Sequence, residues 1–108
     1  MPSKISRTLL AKLRQELKAL YGDNLVTLVL FGSYARGEAG SHSDIDVALV
    51  LKDFTHEFLE IDRTSKLVYE LSLENKTTVS LIPMRESDWR ENVLPFYQSL
   101  RQEGVSII

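Results

Sequence analysis

Two stretches of this chain, Leu25–Phe31 (LVTLVLF) and Asp44–Leu51 (DIDVALVL), are apolar almost without interruption but have only strand length. A strand with one solvated face alternates apolar and polar residues. An unbroken run of this length suits a strand covered on both faces. The chain must therefore supply helices for two sides of a sheet.

Those helices are legible. Ser6–Leu20 places Leu9, Leu13, Leu17 and Leu20 on one face, with Lys12, Arg14, Gln15, Glu16 and Lys18 around the rest and Gly22 as its stop. That leucine stripe suits core packing better than a partner helix. Phe54 to about Asn75 reads as a long helix, with Phe58, Ile61, Val68 and Leu71 at helical spacing. A third strand, Thr77–Ile82 (TTVSLI), is expected to close at Pro83. Ser87 is the expected cap of a helix opening with Asp88, which Pro95 kinks or restarts and Gly104 ends. The apolar tail Val105–Ile108 offers an edge strand or a self-association contact, so a homo-oligomer is one expectation. Trp89, Phe96 and Tyr97 suit core or kink packing better than a partner-facing patch.

The expected class is α/β: one domain over residues 1–108, with a central mixed β-sheet and helices packed on it. The link between the first two strands is short, so they are expected to pair antiparallel in a hairpin-like couple.

At 108 residues the chain can bury a core without staples. It has no cysteine, which excludes disulfides, thiolate metal sites and a cysteine nucleophile. Its two histidines, His42 and His56, argue against a histidine-rich metal centre. The formal net charge is −2, not the basic balance of a non-specific nucleic-acid binder, and there is no strong case for direct nucleic-acid binding. No targeting signal or membrane span is visible, so a cytoplasmic location is expected.

The chemistry is concentrated in Gly32–Val50, GSYARGEAGSHSDIDVALV. Gly32-Ser33 falls where a buried strand passes into a helical turn. Such a junction offers free backbone N–H groups, and glycine lets an anion approach them closely. Ser33 adds a hydroxyl and Arg36 a positive charge one turn on. A plain strand-to-helix turn with a serine cap would explain Gly32-Ser33 equally well on its own. Asp44 and Asp46 are two apart at the start of a strand and so share a face, which Ala48 and Val50 continue inward. Two carboxylates at one strand end repel unless a cation lies between them, and hard oxygen donors suit Mg2+ or Mn2+. An exposed acidic strand start is the plainer explanation of that pair alone.

Together the two features form Gly-Ser-x10-Asp-x-Asp, which arises by chance on the order of once in several hundred chains of this length. A phosphate cradle and a pair of metal ligands would then lie on adjacent strand ends, facing one cleft. Arg36 and His42, with five residues between them in a polar loop, lack the second basic or nucleophilic cluster that an RNase-type site would need. His56 reads as a surface residue.

The segment resembles the signature of the minimal nucleotidyltransferases, small relatives of the DNA polymerase β superfamily. The runs Ala35-Arg36-Gly37 and Ser43-Asp44-Ile45-Asp46 extend the match beyond the four fixed positions. The resemblance implies a polymerase β-like fold and a metal-dependent transfer of a nucleoside monophosphate, AMP from ATP, to an acceptor hydroxyl. It assigns Gly32 and Ser33 to the β- and γ-phosphates, and Asp44 and Asp46 to two Mg2+ ions. Arg36 becomes a further phosphate contact, or equally a surface ion pair. It also implies a helical HEPN-domain partner in a toxin–antitoxin pair, with a hydroxyl of that partner as acceptor.

Active members of the superfamily usually carry a third carboxylate on a later strand. The matching strand here has no acid, and Ser80 stands at the expected position. Three behaviours fit that departure: slow transfer, nucleotide binding without transfer, or a missing group supplied by a partner. The alternative to an enzyme is therefore a catalytically weak or inactive module that binds and neutralises a partner protein.

Overall fold

The computed structural model describes residues 7–37 and 44–107. Strands β1 (Leu25–Phe31) and β2 (Ile45–Leu51) pair antiparallel, with Leu30 opposite Val47 and Phe31 opposite Asp46. On its other side β2 pairs in parallel with β3 (Val79–Arg85), which sets Asp46 beside Ser80. The short strand β4 (Val105–Ser106) adds antiparallel to the free edge of β1. The sheet order is β3-β2-β1-β4, a mixed sheet as the sequence implies.

Helices α1 (Arg7–Tyr21) and α2 (Glu57–Asn75) cover one face. Helices α3 (Glu86–Glu91) and α4 (Pro95–Glu103) cover the other. This explains the unbroken apolar runs. Along β2, Ile45, Val47, Leu49 and Leu51 face the α1/α2 layer, packing with Leu9, Leu13, Leu17 and Leu71. Ala48 and Val50 turn to the opposite side and pack with Val29, Met84 and Leu100. Asp46 shares their alternation.

Several local bonds fix these elements. Tyr21 Oη donates to Glu60 Oε1 at 2.8 Å, which joins α1 to α2 through a buried carboxylate. The Arg63 guanidinium lies 3.7 Å from the same oxygen. At the base of the hairpin, Asn24 brackets Asp53 with two hydrogen bonds and its carbonyl accepts from the Lys52 N–H. Helix α2 ends on Lys76 in the left-handed region, and the Ser72 hydroxyl accepts from the Val79 N–H at the start of β3. Arg101 reaches back from α4 to the carbonyls of Trp89 and Asn92 at 2.8 and 2.6 Å, satisfying acceptors around the end of α3.

The structure departs from the sequence reading in several places, beginning with α2, which starts at Glu57 and not Phe54, and β3, which starts at Val79 and not Thr77. Leu20 is exposed, and Tyr21 takes the fourth place in the buried stripe. In α2 the buried positions are Glu60, Thr64 and Leu71, while Phe58 and Ile61 face outward. Pro83 does not close β3, which continues to Arg85. As β3 lies at the sheet edge, only one of its sides carries ladder bonds and a residue without an N–H is accommodated. Ser87 lies inside α3, whose cap position is Arg85 and uses no side-chain bond.

Pro95 does restart the helix, at its first position, and Gly104 ends it. A Cβ at Gly104 would collide with the Leu100 carbonyl and the Val29 side chain. The absence of that atom lets α4 turn directly into β4 against β1. Among the described residues, no helix is long and apolar enough to cross a membrane. The expectations for Ser6, for the polar loop at 38–43 with His42 and Ser43, and for Ile108 fall outside the described residues.

Candidate nucleotide site

The hairpin geometry brings the end of β1 against the start of β2. Gly32 follows Phe31 with φ +75°, a left-handed conformation that strains any residue with a Cβ. A Cβ built there would lie 2.8 Å from Asp46 Oδ2. Glycine is thus required twice at this position, by the turn and by the carboxylate pressed against it. The chain then makes one helical turn, closed by the Arg36 N–H to the Gly32 carbonyl at 3.2 Å and the Gly37 N–H to the Tyr34 carbonyl at 3.3 Å. Tyr34 and Ala35 pack on the α1/α2 core, which anchors the turn from below. Ser33 is half-buried in it, and Arg36 is exposed at its end.

Asp46 is half-buried on β2, and Asp44 is exposed just before the strand, which begins at Ile45, one residue later than expected. Burial pushes the Asp46 carboxyl above its ordinary value, and the charge of Asp44 adds to that. This is the electrostatic situation that a cation relieves. Two carboxylates alone do not make a cage: among the described residues there is no group of three or more His, Cys, Asp or Glu able to hold a metal. The donor set fits Mg2+ or Mn2+ where phosphate oxygens and water complete the shell, the usual situation for magnesium on a phosphorylated substrate. The neighbour of Asp46 on β3 is Ser80, half-buried, and no carboxylate occurs along that strand.

Gly32 also borders a cleft of about 330 Å3 between the turn and α4. Phe31, Arg36, Phe96, Ser99 and Glu103 contribute to its walls. The Phe31 and Phe96 rings meet edge to face, with centroids 5.7 Å apart. Gly32 thus adjoins Asp46 on one side and shares the cleft with Arg36 on the other. The α4 side of the cleft is new. Only Phe96 among those α4 residues drew notice from the sequence, as an aromatic near Trp89 and Tyr97, of which Trp89 and Tyr97 pack against the α3/α4-side core. His56 is exposed at the cap of α2, on the surface as read.

Comparison with known proteins agrees with the fold. The nucleotidyltransferase domain family matches residues 10–103. A Methanocaldococcus jannaschii protein, provisionally named a protein adenylyltransferase, is 36% identical over 74 residues, covering 68% of this chain and 48% of that protein. This chain therefore spans about half the length of that relative. A toxin–antitoxin structure with AMP-PNP superposes with a TM-score of 0.64 at 22% identity, over 92% of this chain and 72% of the other. A complex of a tri-AMPylated Shewanella oneidensis HEPN toxin with its MNT antitoxin gives 0.58 at 19% identity, over 95% and 72%.

Proposed function

This chain belongs to the nucleotidyltransferase domain family, and from that premise we propose that it transfers AMP from ATP to a hydroxyl on a helical, HEPN-type protein partner. The observation that carries the reading is the contact of Gly32 with Asp46. It sets the strand-to-turn junction directly beside a half-buried carboxylate whose charge burial and Asp44 both disfavour. The provisional name of the archaeal relative and the AMPylated toxin complex support the choice of donor and acceptor class.

In this reading the N–H groups of the Gly32–Ser33 turn and the Ser33 hydroxyl bind the β- and γ-phosphates. Asp44 and Asp46 hold divalent metal, Mg2+ or Mn2+. When bound, that metal neutralises phosphate charge and acidifies the acceptor hydroxyl. Arg36, at the end of the turn, faces the same cleft and offers a positive charge to the phosphates. The chain's contribution is thus mainly alignment: it fixes the α-phosphorus in line with the incoming oxygen and the departing pyrophosphate. The oxygen–α-phosphorus bond forms, the bond to the bridging oxygen breaks, and the acceptor's proton leaves to solvent or to a partner base.

A second reading rests on Ser80. Ser80 pairs with Asp46 in the parallel register where a general base would be useful, and serine is not a base near neutral pH. In that reading the domain binds and neutralises its partner without significant transfer. The two separate in one experiment: ATP labelled at the α-phosphate, Mg2+ and the co-purified helical partner, with Asp44→Asn and Asp46→Asn as controls. Label on the partner, lost in both variants while the complex persists, supports transfer. An unlabelled partner in a stable complex that ignores both substitutions supports the binding module.

A further inference from the structure

We propose that the outward stripe of α2 is a self-association surface, on which a second copy of this chain packs its own α2 antiparallel about a two-fold axis at Ser65. The inference does not rest on the nucleotide reading, since Asp46 lies on the sheet face opposite α2.

A helix that covers a sheet should turn its polar side to water. Helix α2 does so poorly. Of the eleven large apolar residues exposed among the described residues, five stand on this one helix, with Phe58 75% and Tyr69 65% exposed. Phe58, Ile61, Ser65, Tyr69 and Ser72 recur at intervals of three, four, four and three. That spacing gathers them into one narrow stripe, about 21 Å long at the helical rise. Beside it a hollow of about 390 Å3 opens against the free edge of β3, and its walls hold no charged residue. The two serines bring no unmet polar group to a contact. Ser65 Oγ donates to the Asp62 carbonyl at 2.8 Å, and Ser72 Oγ to the Val68 carbonyl at 2.7 Å.

The order of the intervals points to the occupant. It reads the same in both directions about Ser65, so an antiparallel copy meets the stripe in register. Ser65 then faces its own counterpart, and two small side chains let the helices approach closely. Tyr69 lies beside Ile61 of the second copy. Phe58 lies beside Ser72 of the second copy, at the uncharged hollow. The charges agree with this pairing. Asp62 and Lys66 stand on one flank of the stripe, and the two-fold axis sets that flank against itself in reverse. Each Asp62 is thereby brought within one helical turn of Lys66 of the second copy. An unrelated helix would need neither symmetry. The C-terminal tail, the other candidate for self-association, is engaged within the chain: β4 pairs with β1, and the Ile107 N–H donates to the Leu28 carbonyl.

Sedimentation equilibrium of the purified full chain tests the proposal. Wild type should approach twice the mass of one chain, with a micromolar dissociation constant, as suits an interface at the small end of the usual range. Tyr69→Glu should weaken association by about tenfold or more, with the melting temperature in dilute solution unchanged. Asp62→Lys and Lys66→Asp should each weaken it several-fold. An equimolar mixture of those two variants should restore it, because opposite charges then face each other across the axis. The mass of one chain at every concentration up to about 1 mM would overturn the proposal. So would a dimer indifferent to Tyr69→Glu, or charge variants that the mixture fails to restore. A monomeric chain whose Tyr69→Glu variant instead releases the co-purified helical protein would give this surface to that partner and overturn self-association.

Discussion

The two faces of the sheet are built for different ends. The α1/α2 face is filled by leucines at fully buried positions, Leu13, Leu17, Leu28, Leu49, Leu51 and Leu71. The α3/α4 face has a smaller cluster in which β2 contributes only Ala48 and Val50. At the end of β1 on that face, Gly32 leaves room for the Asp46 carboxylate that any side chain would close. Asp46 occupies the same face at its rim, where burial works against its charge. The larger buried core lies on one side of β2, and the left-handed Gly32 and the half-buried Asp46 lie on the other, a common arrangement where a rigid scaffold carries a site.

That division can be broken by substitution. The largest expected effect is on the α3/α4 side: Asp46→Asn should lower AMP transfer by about 10^3, or roughly 4 kcal/mol of transition-state stabilisation. It should not lower the melting temperature of the metal-free protein at neutral pH, because the neutral amide escapes both burial and repulsion by Asp44. Thermal unfolding beside a transfer assay checks both halves. Leu13→Ala on the opposite face should do the reverse. It should cost about 2–5 kcal/mol of stability in denaturant unfolding while leaving ATP affinity unchanged below the transition.

Two further substitutions sharpen the comparison. Ser80→Asp places a carboxylate beside Asp46 on β3 and should raise transfer by roughly tenfold or more, measured as initial rate at saturating ATP. An unchanged rate would move the base to the partner. Tyr21→Phe should cost about 1–3 kcal/mol, since it removes the 2.8 Å hydrogen bond to the buried Glu60, with no change in nucleotide affinity.

The same asymmetry explains what could be read from the sequence. The α1/α2 core is written in local periodicity, so α1, β1 and β2 emerge within about a residue of their observed bounds. Departures occur where a long-range fact decides. Pro83 stays in β3 because that strand lies at the sheet edge, and edge position is a property of the topology. Glu60 is buried because Tyr21, on another helix, meets it, so the apolar residues Phe58 and Ile61 are displaced outward.

The site divides likewise. The Gly32 turn and the two aspartates lie within fifteen residues of one another and carry a recognisable spacing. That Gly32 actually touches Asp46, and that Ser80 flanks it, follows from the pairing registers. The α4 wall of the cleft comes from more than sixty residues away in sequence. It arrives there only because Gly104 lets α4 pack tightly over β1 and pass into β4. Nothing in the spacing of Phe96, Ser99 and Glu103 marks them as neighbours of Gly32.

The central claim is that the α3/α4 face carries a metal-dependent nucleotide site built on Gly32 and the aspartates. Calorimetric titration of the purified chain with ATP, with and without Mg2+, tests it most directly when repeated on Asp44→Asn. The account predicts binding that requires both the metal and Asp44. ATP binding that is indifferent to Mg2+ and to the substitution would contradict it.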